Sequence, residues 1–263
     1  ERFDITEDGF RLTAEVNAEK ESTLFYILNR KDNVRYLAGY TPDRQICFNI
    51  GQHDVKGLAE LANSAFGMFY RRMGINFEDL AGIAGYFSGE MVGGLDLCKT
   101  GMKFEMISVL EEDVEDDFIR GVYLPWLKNY MDTMNTRVAA RVHEDDEALF
   151  IEMPETQIRG YKVLGGMLQF PMAKAFFQGM AESPGTAMGQ MFFRTARVGK
   201  YMLVAPDDER LAELVKMTPA FKKLPDNGPF MVTEIDMDAY LNAVTGRFED
   251  MPPGTPSQLG KMT

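Results

Sequence analysis

Two histidines and two cysteines are all that this 263-residue chain offers for classical nucleophilic or metal chemistry. His53 directly precedes Asp54, which is placed to cap a helix, so it reads as a capping or surface residue and not as a base. His143 opens the acidic turn His143-Glu144-Asp145-Asp146-Glu147 and reads as solvated, a weak cation site at best. Cys47 and Cys98 lie far apart in apolar, strand-like stretches. With no C-x-x-C and no Cys/His cluster they cannot build a zinc site. Two buried thiols, or a disulfide between neighbouring strands, both remain open.

Other catalytic patterns are missing. Ser/His/Asp catalysis needs a serine in a strained elbow, and no G-x-S-x-G occurs. Gly82, Gly85, Gly89, Gly93 and Gly94 make neither G-x-G-x-x-G nor a Walker pattern, so they read as turn and close-approach residues. The densest carboxylate run, Glu111-Glu112-Asp113 with Glu115-Asp116-Asp117, has no central glycine for a calcium loop. It reads as the acidic first turn of a helix starting near Asp113, where negative charge suits the macrodipole. The 19 methionines form isolated pairs such as Met131/Met134 and Met188/Met191, a pattern of core filler. A pliable Met-lined pocket is the minority reading. Trp126, in Tyr123-Leu-Pro-Trp-Leu127, reads as a core residue or interface anchor. No catalytic, cofactor-binding or metal-binding residue is assigned, and no cofactor is expected.

The charge balance narrows the partners. Acidic side chains number 40 and basic ones 28, a net −12. The basic residues cluster no further than the pairs Arg71-Arg72 and Lys222-Lys223. Nucleic acid and anionic membrane surfaces attract Lys/Arg clusters, so neither is an expected partner. No apolar run reaches the length of a membrane span.

The elements that would position any site alternate between strand and helix. An Asp8-Gly9 turn leads into a strand from Phe10 to Val16, and a short helix is expected from Thr23 to Asn29. The turn at Tyr40–Asp43 precedes a strand over Gln45–Ile50, and Asp54 caps a helix to about Met73. A second helix covers Asn76–Ala84. Met91–Cys98 and Lys103–Leu110 form a hairpin. Helix is then expected from Asp113 to Met134, broken near Pro125. Strands are expected at Arg137–Val142, Ala148–Glu152 and Gln157–Leu164, then a helix at Ala173–Met180. A hairpin joins Gln190–Val198 to Tyr201–Ala205 through Gly199-Lys200, and Pro206-Asp207 caps a helix to Met217. The last strand is Phe230–Ile235, with Asp236 starting a closing helix to Val244.

One layout occurs twice. Pro42-Asp43, a strand, then Asp54-Val55 and a helix compares with Pro225-Asp226, a strand, then Asp236-Met237-Asp238 and a helix. Pro sets the turn into the strand, and Asp satisfies amides where the helix begins. The expected fold is α+β, antiparallel sheets with packed helices in pseudo-duplicated strand–helix units. Residues 1–135 make the first unit, 136–250 a second packed on it, and 251–263 a flexible tail.

These stretches also carry a resemblance. Leu37-Ala-Gly-Tyr-Thr-Pro-Asp43, Asp54-Val55, Gly74-Ile-Asn-Phe-Glu-Asp-Leu80 and the Gly85–Gly94 run with Ser88-Gly89-Glu90 resemble a bacterial cell-envelope family of unknown function. Tyr201-Met-Leu-Val-Ala205, Phe221-Lys-Lys-Leu-Pro225 and Asp236 extend the likeness. It implies a duplicated α+β protein, secreted or lipid-anchored and hence periplasmic or envelope-associated, with a signal or anchor ahead of Glu1. The function expected is non-enzymatic, binding or structural, with an unknown protein or a small apolar ligand as partner. The alternatives are a carrier of an apolar ligand in a Met-lined pocket, and a metal-dependent hydrolase using the acidic clusters.

Overall fold

The structure is a computed structural model, and it describes residues 2–6, 9–14, 34–37, 39–51, 54–57, 82–98, 101–138, 149–169, 190–225 and 231–236. In chain order the first strands are β1 (Arg2–Thr6), β2 (Gly9–Ala14), β3 (Val34–Arg35) and β4 (Ile46–Ile50). The hairpin β5 (Phe87–Cys98) and β6 (Gly101–Leu110) follows, then a π-helical turn (Ile119–Tyr123) that runs into helix α1 (Leu124–Val138). Next come β7 (Leu149–Glu152), β8 (Thr156–Ile158), β9 (Tyr161–Gln169), β10 (Gln190–Val198) and β11 (Tyr201–Ala205). Helix α2 (Asp208–Met217), β12 (Leu224–Pro225) and β13 (Met231–Asp236) complete the described elements.

Mostly antiparallel sheet with a few helices, the fold is of α+β type. Eleven strands join one sheet in the order β1-β2-β13-β4-β5-β6-β11-β10-β9-β7, with β8 also pairing with β9. β3 and β12 form a small separate ladder. β13, from late in the chain, lies between β2 and β4. β11 is short, and beyond its end β6 and β10 meet directly in parallel at Met102 and Met191. That gap is where the site described below is built.

Both faces of the central strands are covered. On one, Leu110, Leu164, Leu168, Phe193, Met202 and Val204 pack with Phe118, Ile119, Leu124, Leu127 and Met131. On the other, Ile107, Val109, Val163, Ala196 and Leu203 pack with Leu211, Leu214 and Val215 of α2 and with Leu37 and Tyr40. β11 is buried at all five positions, as its unbroken apolar run requires. In α2 the buried residues fall at i, i+3 and i+4, so one stripe faces the sheet. Each such side chain contributes about 1.5–3 kcal/mol by leaving water.

Helix α2 starts where its caps dictate. Asp207 is extended, and its carboxylate accepts the Arg210 amide at 2.8 Å. Asp208 and Glu209 follow in the first turn, and Lys216 lies in the last. Asp207→Ala is expected to cost about 1 kcal/mol, read as a lower urea midpoint at unchanged slope.

Several expectations hold in this structure. The hairpins β5–β6 and β10–β11 form as expected, and β2 pairs with a preceding arm, β1. Asp54 accepts the Gly57 amide at 2.9 Å, as a helix cap does. Met131 and Met202 are core filler. Trp126 packs against the α1-side core between Tyr123 and Tyr130.

Others are corrected. The acidic stretch 111–117 is a run of turns, not a helix start, and the helix begins only at Phe118. Pro125 does not break it. The π-helical turn ahead of Pro125 carries an i→i−5 bond from Leu124 to Ile119, and Pro125 sits in the first turn of α1, where its missing N–H is tolerated. Arg137 and Val138 belong to α1, not to a strand. The strand expected at Gln157–Leu164 is two strands, β8 and β9, joined at Arg159-Gly160 with φ of 53° and 85°. Positive φ at both central residues makes a tight hairpin turn that the pair Arg-Gly does not advertise. β5 begins at Phe87, earlier than expected, because a bulge at Gly89 (φ 95°) carries the strand through Ser88–Glu90. Asp236 is the last residue of β13, and the helix expected after it lies outside the described residues. The helices expected at 23–29 and 173–180, and nearly all of those at 54–73, 76–84 and 236–244, lie outside the described residues.

Candidate functional site

Where β11 ends, two buried charges flank the gap. Glu105 of β6 is 1% exposed and Arg194 of β10 is 4% exposed. Glu105 is in phase with Ile107 and Val109, and Arg194 with Ala196 and Val198, so both point to the α2 face. Charge at such positions requires partners.

Glu105 has four. Arg210 of α2 donates Nε to Oε2 at 2.8 Å and Nη2 to Oε1 at 3.1 Å. Arg44 donates Nη2 and Nε to Oε2 at 2.6 and 3.0 Å. The Tyr40 hydroxyl donates to Oε1 at 3.1 Å. Arg44 also bonds Asp96 at 2.7 Å, and Arg210 bonds Glu213 at 2.6 Å. Arg194 is held likewise: its Nε meets Asp208 at 2.5 Å, and its Nη2 meets Thr156 Oγ1 at 2.6 Å. The first turn of α2 is thus clamped from both sides, Arg210 to Glu105 and Asp208 to Arg194.

Glycines make room for these arginines. Gly94 stands opposite both Glu105 and Cys47 in the ladders, and a Cβ there would lie 2.6 Å from Arg44 Cγ. Gly165 stands opposite Arg194 and leaves space for its side chain in the same way. On the reverse face, Gly93 lies beneath the Phe48 ring and Gly166 beneath Phe150.

The electrostatics follow from burial and pairing. Burial alone pushes the Glu105 carboxyl up, but the hydrogen bonds from Arg210 and Arg44 outweigh it and hold it below its ordinary value. Burial, reinforced by the Glu105 charge, pushes the Tyr40 hydroxyl well up. The cluster's geometry is that of a structural clamp. A second buried carboxylate, Glu90, accepts the amides of Tyr36 and Leu37 at 2.7–3.0 Å and ties that segment to the sheet.

The candidates singled out by residue type fare differently. Cys47 is a free, buried thiol whose Sγ bonds the Pro42 carbonyl at 3.0 Å, and burial raises its ionisation above the usual range. Its ladder partner is Gly94, four residues along β5 from Cys98. At ~3.3 Å per residue that separation exceeds what a disulfide spans, so the cross-strand disulfide does not form. His53 and His143 lie outside the described residues. Arg44, Glu105, Arg194 and Arg210 escaped notice, although Glu105 and Arg194 are charged residues in phase with apolar ones, which marks a buried charge.

The acidic run has a role the sequence did not suggest. Together with Gly85, Tyr86 and the start of the π-helical turn it surrounds a half-open cleft of about 600 Å³. Its walls are Asp113, Val114, Glu115, Asp117, Phe118, Gly121 and Val122, and no methionine is among its lining residues. Tyr86 and Phe118, both lining it, meet ring to ring at a tilt of 36° with centroids 5.0 Å apart. Such a volume is within the range of small-molecule sites.

No family model, no curated protein and no solved structure matches this chain.

Proposed function

We propose that the chain is a non-enzymatic binding protein of the bacterial cell envelope. The observation that carries this reading is the saturation of Glu105: its two oxygens accept five hydrogen bonds from Arg44, Arg210 and Tyr40. A carboxylate so engaged serves folding, not proton transfer. Among the described residues an accessible cleft lies around Phe118, on the opposite face of the sheet, and it is lined by neither histidine nor cysteine. The compartment rests on the sequence resemblance. Duplication of the strand–helix unit belongs to the same proposal, and it is supported by β4 and β13 lying side by side and antiparallel, as a local two-fold would place them.

The alternatives have less behind them. Among the described residues no group of three or more His, Cys, Asp or Glu is placed to hold a metal ion, which weighs against a metal-dependent hydrolase. An apolar carrier with a Met-lined pocket finds no methionine in the cleft. No described helix is long and apolar enough to cross a membrane.

A panel of hydrolase and transferase substrates, run with and without divalent cations, tests the reading. No turnover above buffer is expected. Turnover that disappears in Glu105→Gln or Asp113→Asn protein of unchanged fold would overturn it. Fractionation of cells expressing the whole gene tests the compartment, with recovery in the envelope fraction expected.

A further inference from the structure

We infer that the cleft between residues 85–86 and 113–122 binds a small organic cation, an ammonium group on an apolar or aromatic body. The inference rests on the binding-protein reading above and names the ligand class of its site.

Two glycines point to an occupant. Gly121 sits inside the π-helical turn, and Gly85 lines the same cleft. Neither has a positive φ, and a Cβ built on either meets nothing within 4 Å. Neither backbone nor packing therefore requires glycine there. Within a helix a glycine is unfavourable relative to alanine, so Gly121 costs the fold something without steric return. The glycines that the fold does need behave differently, since a Cβ at Gly93, Gly94, Gly165 or Gly166 would strike a neighbour. What the absent side chains of Gly85 and Gly121 preserve is the volume of the cleft. π-Helical turns are themselves rare and concentrate at functional sites.

The lining sets the ligand's chemistry. Its charged members are Asp113, Glu115 and Asp117, with no Lys, Arg or His among them. Among the described residues, the Asp113 and Glu115 carboxylates have no ion-pair partner. Nearby cations engage other groups. Arg197 donates to the Glu115 carbonyl and lies 3.7 Å from Asp116, and Lys162 is 3.7 Å from Asp117. The apolar lining is Val114, Val122 and the rings of Tyr86 and Phe118, of which half-buried Tyr86 and Val122 are the more exposed. Carboxylates lining one cleft with Tyr86 and Val122 match a cation with an apolar body, attracted by charge and by contact with the Tyr86 ring and Val122. A bare metal ion would leave the apolar lining unused and would want a tighter set of oxygens.

The test titrates the protein with phenethylammonium, with the neutral isostere 2-phenylethanol, and with calcium alone, following the Gly85 and Gly121 amides by NMR. Saturable shifts of both amides with phenethylammonium are expected, with at least ten-fold weaker binding of the alcohol and none of calcium at these amides. Gly121→Leu is expected to abolish the response, while Gly121→Ala keeps the fold and raises the melting temperature. Asp113→Asn with Glu115→Gln is expected to bring the cation's affinity down to that of the alcohol. Equal affinity for cation and alcohol, undiminished binding in Gly121→Leu, or shifts centred elsewhere would overturn the inference. A null titration in a protein that also shows no turnover defeats this ligand class and leaves the binding reading standing. Turnover in the substrate panel defeats the reading itself.

Discussion

Glu105→Ala is expected to lower stability by about 3–5 kcal/mol, the largest loss of any single polar substitution in the described fold. The cost comes from what is left behind. Arg44 and Arg210 have side chains only 13% and 23% exposed, and both aim at the vacated site. Removing the carboxylate takes away the acceptor that two guanidinium groups and the Tyr40 hydroxyl share, leaving Arg44 only Asp96 and Arg210 only Glu213 and Tyr40, in a space where water enters poorly. Arg210→Ala alone should cost less, because Glu105 retains Arg44. The double variant Glu105→Ala/Arg210→Ala should cost clearly less than the sum of the two, since the second substitution removes one of the groups that lost its acceptor. Urea denaturation of the four proteins reads this coupling, and additive losses would show that the clamp is not a unit.

The same clamp gives the fold an acid limit. The folded Glu105 carboxyl ionises below its ordinary value of 4.5 because its arginine hydrogen bonds outweigh its burial. A group depressed in the folded state stabilises fully above its unfolded value, and that contribution fades as pH falls through the folded one. Stability measured by circular dichroism should therefore drop below about pH 4.5 in the parent protein. In Glu105→Gln the part of that drop due to this residue should be missing, from a lower starting stability.

Gly165→Ala is expected to cost about 3 kcal/mol or more, at the upper end of what overpacking does. A Cβ at Gly165 would fall well short of van der Waals contact distance from the Phe193 carbonyl oxygen, and 3.1 Å from both Cα and Cδ of Arg194. The carbonyl belongs to β10, which is paired with β9 over seven residues, so it cannot move without breaking the ladder. Displacing Arg194 would also unseat Asp208 and the start of α2. Gly121→Ala is the control: its Cβ meets open space, and the loss of helical glycine should add about 0.5–1 kcal/mol. Thermal unfolding of the two variants should move in opposite directions. A mild effect at Gly165 would mean the two strands separate more readily than their register suggests.

The local grammar of this chain was readable from its residues. Alternation marked β2, and turn residues marked the hairpins β5–β6 and β10–β11. Asp54 and Asp207 marked helix starts because a short carboxylate can accept amides that lack helical partners. The turn Arg159-Gly160 was missed because nothing about arginine signals a left-handed conformation. The acidic run at 111–117 was misread because charge near a helix start looks the same whether it lies in the first turn or before it. The bulge at Gly89 was missed because glycine in a strand has several uses.

The sequence by itself determined most of the described strands and where α2 begins. These follow from interactions within a few residues along the chain. Only the tertiary structure decided that Glu105 meets Arg210, that Gly165 lies against Phe193, and that Gly85, Gly121 and an acidic turn enclose one cleft. Those partners lie tens of residues apart, and strand order in an antiparallel sheet is set by packing and register, which no local pattern encodes.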